Sequence, residues 1–508
     1  MTVHLAILPI LIPLVGGLLM LLPPFAGPER YQARRVASLC LMLAQIVCSI
    51  FLMATVVQNG AIMYAVGDWK PPFGIILYVD QLSAMLVTLT AVLGLGVTLY
   101  SFAGTDREGK YFHPLIQFQL LGIYGAFVTN DLFNLFVFFE VLLIASYTLL
   151  IHGGGKQKTA ANVHYVILNL IGSSLFLFAL GTLYGITGTL NIADMSLRIG
   201  QLSASNQLIV QAGGSLLLVV FGLKAAMLPL HFWLPKTYAA ASAPVAALFA
   251  IMTKVGVYCI FRVYTVIFGE QAGELANMVQ PWIWPLSILT IVVGTVGALA
   301  SPNLRTLAAN LVIVSVGTLL IAFSLRTPEA TAAGLYYLIH STLVTAALFL
   351  IADMLGQQRG KALDYFVIAR KIKQQSLLGI LFVVAAMAVA GLPPFSGFLG
   401  KLVVLQSAVG SDQIVWVWSV ILLSSLMTII ALSRAGTTLF WRSTPSHDVA
   451  ESDGVSKWQL CGTFLLLGAS PLLALFGASI IEYTNSAAAQ LHDIESLIRV
   501  MNLEGGAQ

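Results

Sequence analysis

Glu140, Lys224, Lys254 and Lys401 all lie inside long apolar runs. An ionisable side chain at the centre of a membrane helix costs roughly 2.5–3.5 kcal/mol on insertion scales. Glu140 sits about eight residues into FNLFVFFEVLLIASYTLL, ~12 Å from its outer boundary, and Lys254 about ten residues into its run, ~15 Å deep. Snorkelling along a few carbons does not bring a lysine at that depth back to water. Burial favours the neutral form of such a group and a nearby opposite charge favours the ionised form, so a proton moves when the partner moves. That is the chemistry of a proton relay. The plainer reading is a set of ion pairs that fix helix packing. A carboxylate and three lysines in one bundle exceed that need, because apolar replacement of buried pairs is often neutral or stabilising.

Two of these lysines flank interrupted helices. LKAAMLPLHFWLP places Pro229 and Pro235 after Lys224, and GLPPFSGFLGK places Pro393 and Pro394 before Lys401. Each proline frees a backbone carbonyl, which is tolerated at membrane depth only against protein or a water-filled cavity. Paired broken helices in two halves of a transporter point to its ion site. The opposite order of lysine and break suits inverted repeats, about 114–268 and 278–435. His340 is placed to relay protons between the lysine sites, with a hydrogen-bonded packing role as the alternative. His231 is an auxiliary candidate able to bond a freed carbonyl. Asp80 and Asp131 read as helix caps, Asp353 as a solvated carboxylate at the inner helix end, and Arg262 as a residue reaching the outer interface.

The elements that carry these residues follow from composition. The 508 residues are 58% hydrophobic and 9% charged, with a mean hydropathy of +0.91. Soluble domains average about 25% charged residues, so the chain reads as an all-α integral membrane protein. Fourteen apolar runs start near Leu5, Val36, Gln81, Pro114, Leu132, Val163, Leu208, Pro244, Met278, Leu304, Gly334, Leu377, Ile414 and Leu460. Alternate loops should carry the cations. One set of loops holds 17 Lys and Arg and the other set, tails included, holds 4. The expectation is therefore one polytopic domain over 1–508, with about fourteen transmembrane helices, broken seventh and twelfth helices, and both termini on the outer side of a cell (inner) membrane. The first run lacks a preceding cation and is expected to be retained as a helix. The stretches near 356–376 and 441–458 are too short to fold alone.

The scattered cations exclude nucleic acid as a partner, and the four cysteines lie in apolar runs without CxxC spacing. HGGGKQKT lacks phosphate-loop spacing, and no metal-ligand cluster, haem motif or dinucleotide fingerprint is present. No cofactor is expected.

The order NDLFNLFVFFEVLLIASYTLL, GLKAAMLPLHFWLPKTY, MTKVGVYCIFRVYTVIF and GLPPFSGFLGK resembles the antiporter-like subunits, from about 75 to 440. That family joins the proton-pumping membrane subunits of respiratory complex I to the large subunits of Mrp (Pha) multisubunit cation/proton antiporters. TKVGVY, RVYT and PLHFWLP are most similar to the D-type member of the latter. The resemblance implies a subunit of a Na+ (K+ or Li+)/H+ antiporter, a secondary transporter rather than an enzyme. Its implied partners are a second large antiporter-like subunit and several small membrane subunits. It also implies that the fifth-helix Glu140 pairs with Lys224 on the seventh, that Lys254 is the eighth-helix lysine, and that Lys401 is the twelfth-helix lysine leading to one membrane face. The alternative is a proton-pumping subunit of a complex I-type NADH:quinone oxidoreductase or a membrane-bound hydrogenase. Val344 stands where many relatives carry a lysine after the histidine, NLRT keeps Arg305 as its one cation, and AANLVIVSVG keeps one serine without the usual glutamine.

Overall fold

A computed structural model describes residues 3–26, 28–444, 454–501 and 503; the expected hydrophilic stretch near 441–458 falls partly outside them. Each apolar run is a helix. In chain order these are α1 (Leu8–Leu21), α2 (Tyr31–Asn59), α3 (Gln81–Ser101), α4 (Phe112–Val128), α5 (Leu132–Leu150) and α6 (Lys156–Thr187). The chain continues as α7 (Ala204–Ala225), α8 (Trp233–Ala240), α9 (Ala243–Val266), α10 (Gln280–Ala300), α11 (Leu304–Ser324) and α12 (Pro328–Arg359). It continues with α13 (Gln375–Ala390), α14 (Ser396–Ser407), α15 (Ile414–Gly436), α16 (Lys457–Leu475) and α17 (Gly477–His492), before a short last helix, Ile494–Val500. Among the described residues, 11 helices are long and apolar enough to cross a bilayer, and α1, α4 and α13 are shorter apolar helices. Short α8 and α14 are the second halves of the two interrupted helices.

Helix starts follow local chemistry. Asp80, Asp131 and Asn303 cap α3, α5 and α11 by accepting from the backbone N–H of Ser83, Asn134 and Thr306. The caps expected of Asp80 and Asp131 are thus present. A small hairpin between α2 and α3 pairs Ile62–Ala65 with Ile76–Val79, Ile62 opposite Val79.

Burial sorts the helices into centre and rim. In α9 every residue but Thr265 is buried, and α11 and α12 are almost as deep. Helices α2, α6, α10, α15 and α16 bury one face and turn apolar side chains such as Phe51, Phe178, Val296, Leu423 and Phe464 outward. An apolar outer face is stable only in hydrocarbon, so the molecule is a multi-span membrane protein. Glycine permits one close approach that matters: a Cβ at Gly256 of α9 would stand 2.5 Å from the Ala225 nitrogen, so α9 lies directly on the end of α7.

The N-terminal end of α2 is tied to a 3-10 turn, Thr105–Arg107. Arg35 donates to both Asp106 oxygens at 2.5 and 2.7 Å and to the Phe102 carbonyl at 2.6 Å, with His113 3.3 Å from the same carboxylate. Burial alone would raise the Asp106 pKa, but hydrogen bonds and charge from Arg35 and His113 outweigh it and hold the carboxyl at about 2, against 3.8. A depressed carboxylate pKa stabilises the fold above its unfolded value and loses that contribution as pH falls through the folded one. Asp106→Asn is expected to lower the melting temperature by a constant amount above pH ~4.5, with the gap closing between pH ~4 and ~2. A gap that stays constant down to pH ~2 in detergent melts contradicts the pairing.

Candidate functional site

The first break runs from Ala226 to Phe232 between α7 and α8. Ala226 is left-handed (φ 59), the Leu228–Pro229 peptide is cis, and Pro235 falls in the first turn of α8, where no amide donor is needed. Two interior groups freed by the break find partners: the Trp233 indole donates to the Leu223 carbonyl at 3.1 Å, and the Leu228 amide to Thr290 Oγ1 at 3.0 Å. His231 lies in this break with Nδ1 buried and unbonded, the Pro229 backbone beside it.

Lys224 ends α7, 6% exposed, and donates from Nζ to Asn169 Oδ1 of α6 at 2.9 Å. Glu140 of α5 accepts from Ser173 Oγ of α6. Asn169 and Ser173 are one helical turn apart, on one face of α6. The implied direct pair is not seen: among the described residues no ion pair joins Glu140 to Lys224, each is bound instead by its own α6 side chain, and Lys224 Nζ lies 5.7 Å from the ring centroid of Phe139, the residue before Glu140. Gly172, between the two α6 partners, lets α7 in; a Cβ there would meet Leu223 Cδ2 at 2.7 Å and Lys224 Nζ at 3.8 Å.

Lys254 is fully buried in α9 and donates to Ser315 Oγ of α11 at 2.7 Å; that hydroxyl donates on to the Val312 carbonyl. Ser315 is the serine kept in AANLVIVSVG. No carboxylate among the described residues pairs with this lysine.

His340 of α12, 2% exposed, places Nδ1 2.8 Å from Ser396 Oγ, which lies 2.8 Å from Ser470 Oγ of α16. Ser396 opens α14, just past the second break, Gly391–Phe395, with a cis Pro393–Pro394 peptide. Lys401 of α14 folds back on that break. Its Nζ donates to the carbonyls of Ala390 at 2.9 Å and Val389 at 3.3 Å and to Ser425 Oγ of α15 at 2.9 Å. An ammonium group there caps the carbonyl end of α13, favourable for the helix dipole as well as for the freed acceptors. Gly391 (φ +83) is required beside it, since a Cβ would approach Lys401 Cδ to 2.9 Å.

Four of the five candidate charges are thus deeply buried, with Glu140 half-buried, and each is bound by an amide, hydroxyl or carbonyl of a neighbouring helix. No hydrogen bond links one station directly to the next among the described residues.

Two further charge sites escape the sequence reading. Arg262 reaches no interface: it makes a bidentate pair with Asp80 at 2.6 and 2.8 Å, the side chains 5% and 1% exposed, and donates to Tyr258 Oη at 3.2 Å. It stands two turns from Lys254 on the same helix, with Tyr258 between. Asp353 is not a solvated carboxylate, because Arg305, Tyr100 and Gln357 all donate to it at 2.7–2.8 Å. Arg305 in NLRT was the available signal.

The profile of the NADH:quinone oxidoreductase/Mrp antiporter transmembrane family matches residues 129–428, which contain Glu140, Lys224, Lys254, His340 and Lys401. The D-type Na(+)/H(+) antiporter subunit of Bacillus subtilis (strain 168) is 37% identical, over 97% of this chain and 98% of its own. The probable D-type K(+)/H(+) antiporter subunit of Rhizobium meliloti (strain 1021) is 35% identical, over 96% and 95%. A chain of the Mrp complex from Dietzia sp. DQ12-45-1b superposes with a TM-score of 0.85 at 26% identity, over 98% of this chain and 99% of that one. The chain belongs to the NADH:quinone oxidoreductase/Mrp antiporter family of membrane subunits.

Proposed function

We propose that the chain is the D-type subunit of a multisubunit Na+ (K+ or Li+)/H+ antiporter and that Glu140, Lys224, Lys254, His340 and Lys401 form its proton path. Fourteen crossings, with both termini outside the cell membrane and two inverted repeats over 114–268 and 278–435, complete the reading. The full-length similarity to D-type antiporter chains supports the first part. One observation carries the second: among the described residues, Lys224, Lys254 and Lys401 are buried with neutral hydrogen-bond acceptors alone. Buried ammonium groups without a fixed counter-charge are a poor packing device and a good proton store.

The step proposed at the first pair is electrostatic. With Glu140 close, Lys224 holds its proton; with Glu140 drawn to Ser173, as in the arrangement described above, the lysine loses that support and its proton leaves toward Lys254. His340 with Ser396 and Ser470 hands it to Lys401, whose seat on the broken α13 end opens toward one face. Stations not bonded to each other require intervening water, which polar-lined gaps at helix breaks accommodate.

The experiment is a gentle native pull-down of the tagged chain, with mass spectrometry and an absorbance scan. Colourless material containing a second large antiporter-like chain and several small membrane subunits, active in everted-vesicle cation/proton exchange, is expected. Coloured material that oxidises NADH or hydrogen would overturn the reading in favour of a redox-driven pump.

A further inference from the structure

Between α13 and α15 lies a cavity of about 1180 Å³ with polar and apolar ends. It exceeds the ~300–1,000 Å³ of pockets for drug-sized ligands. Its mouth, at the start of α13, carries Lys371 and Lys373, both exposed, and Trp441, 73% exposed. The neighbouring glutamines are already engaged, Gln375 donating to the Phe440 carbonyl and Gln374 accepting from the Val455 amide. Among the described residues, the two lysines have no carboxylate or hydrogen-bond partner and no acidic side chain lines the wall. Below the mouth the wall is apolar, with Phe382, Val384, Met387, Ile429 and Leu432. Its flank is open to the outside through Ile380 and Val383, 63% and 48% exposed. The deep end reaches Ala390, whose carbonyl accepts from Lys401.

We propose that this cavity binds an anionic phospholipid of the inner leaflet, its phosphate on Lys371 and Lys373 and its acyl chains along α13 and α15 down to Ala390. The chemistry is that of the wall: two cations without a partner among the described residues ask for an anion, an apolar trough open to hydrocarbon asks for alkyl chains, and a tryptophan marks the interface between them. Basic pockets between helices on the cytoplasmic side hold acidic lipid headgroups in this manner. The lysines belong to the cation-rich loop set, which places the mouth inside. The bound lipid seals the break that seats Lys401 and couples lipid charge to that station. The site stands on its own geometry and holds whichever cation is exchanged.

The test is lipid analysis of the whole complex, purified in mild detergent from a membrane containing phosphatidylglycerol. Wild type is expected to retain it, and Lys371→Gln/Lys373→Gln to retain at least fivefold less with the same subunits. Met387→Trp, which fills the trough and leaves both lysines, is expected to lose it too. Lys361→Gln/Lys457→Gln, removing two inner-side lysines outside the cavity wall, is expected to retain it. In phosphatidylcholine vesicles, added phosphatidylglycerol should raise wild-type exchange several-fold and leave the Lys371→Gln/Lys373→Gln complex unchanged. Equal retention in wild type and that variant, no retention in wild type, or cross-linking of Val383→Cys to a helix of another subunit would each overturn the proposal.

Discussion

Lys224→Ala, in a complex that still contains all its subunits, is expected to cut cation/proton exchange roughly 100-fold or more, the scale of losing a positioned proton donor. The loss is chemical rather than structural. Lys224 makes one hydrogen bond, to Asn169, and its removal leaves a neutral amide beside a small gap rather than an orphaned charge. Glu140→Gln should cut exchange by a similar factor for the complementary reason: the amide keeps the shape that Ser173 binds but no longer supplies the field that Lys224 feels. Ser173→Ala separates the two roles. It removes the hydroxyl that binds Glu140, so the freed carboxylate should close on Lys224 and exchange should slow several-fold without being abolished. Exchange is read in everted vesicles, with subunit content quantified in the same preparation. Wild-type rates in an assembled Lys224→Ala complex would sink the relay, and an unchanged Ser173→Ala rate would remove α6 from it.

The largest stability effect is expected at the C-terminal end of α9. Asp80→Asn keeps the α3 cap, because asparagine caps as well as aspartate. It leaves Arg262 as a buried cation with no counter-charge. Breaking a buried pair by removing one partner costs about 3–5 kcal/mol. The single variant should therefore melt well below wild type and assemble poorly. Asp80→Asn combined with Arg262→Met should recover most of that loss, since apolar replacement of both charges is often neutral. Thermal melts in detergent and recovery of assembled complex measure both. A single variant as stable as wild type would show that the pair is not held in the buried geometry of 2.6 and 2.8 Å.

What the sequence disclosed divides along physical lines. Helices were legible because the bilayer demands unbroken apolar runs, and every run expected from Leu5 to Leu460 contains one. The two interruptions were legible because proline cannot stay in the hydrogen-bond ladder, and both breaks fall where Pro229 and the Pro393–Pro394 pair stand. The charged stations announced themselves by their cost in hydrocarbon. Their partners did not. Asn169 and Ser173 are ordinary polar residues on an apolar helix, and only the fold reveals that one binds Lys224 and the other Glu140. Ser396 and Ser470, 74 residues apart, meet only because α14 packs on α16. Arg262 looked close enough to the surface to reach it, but the charge that captures it, Asp80, is 182 residues away. Long-range polar pairing of this kind leaves no periodic trace in one chain.

The most direct measurement is proton movement through the central station. Lys254 is fully buried and lies in neither break, and among the described residues its ammonium bonds only to Ser315. The purified complex would be reconstituted into vesicles with an imposed sodium gradient and an internal pH dye, comparing wild type with Lys254→Met at equal incorporation. The proton path predicts a rapid pH change in wild type and none above empty vesicles in the variant. A wild-type rate in Lys254→Met would contradict it, and protons would have to cross elsewhere.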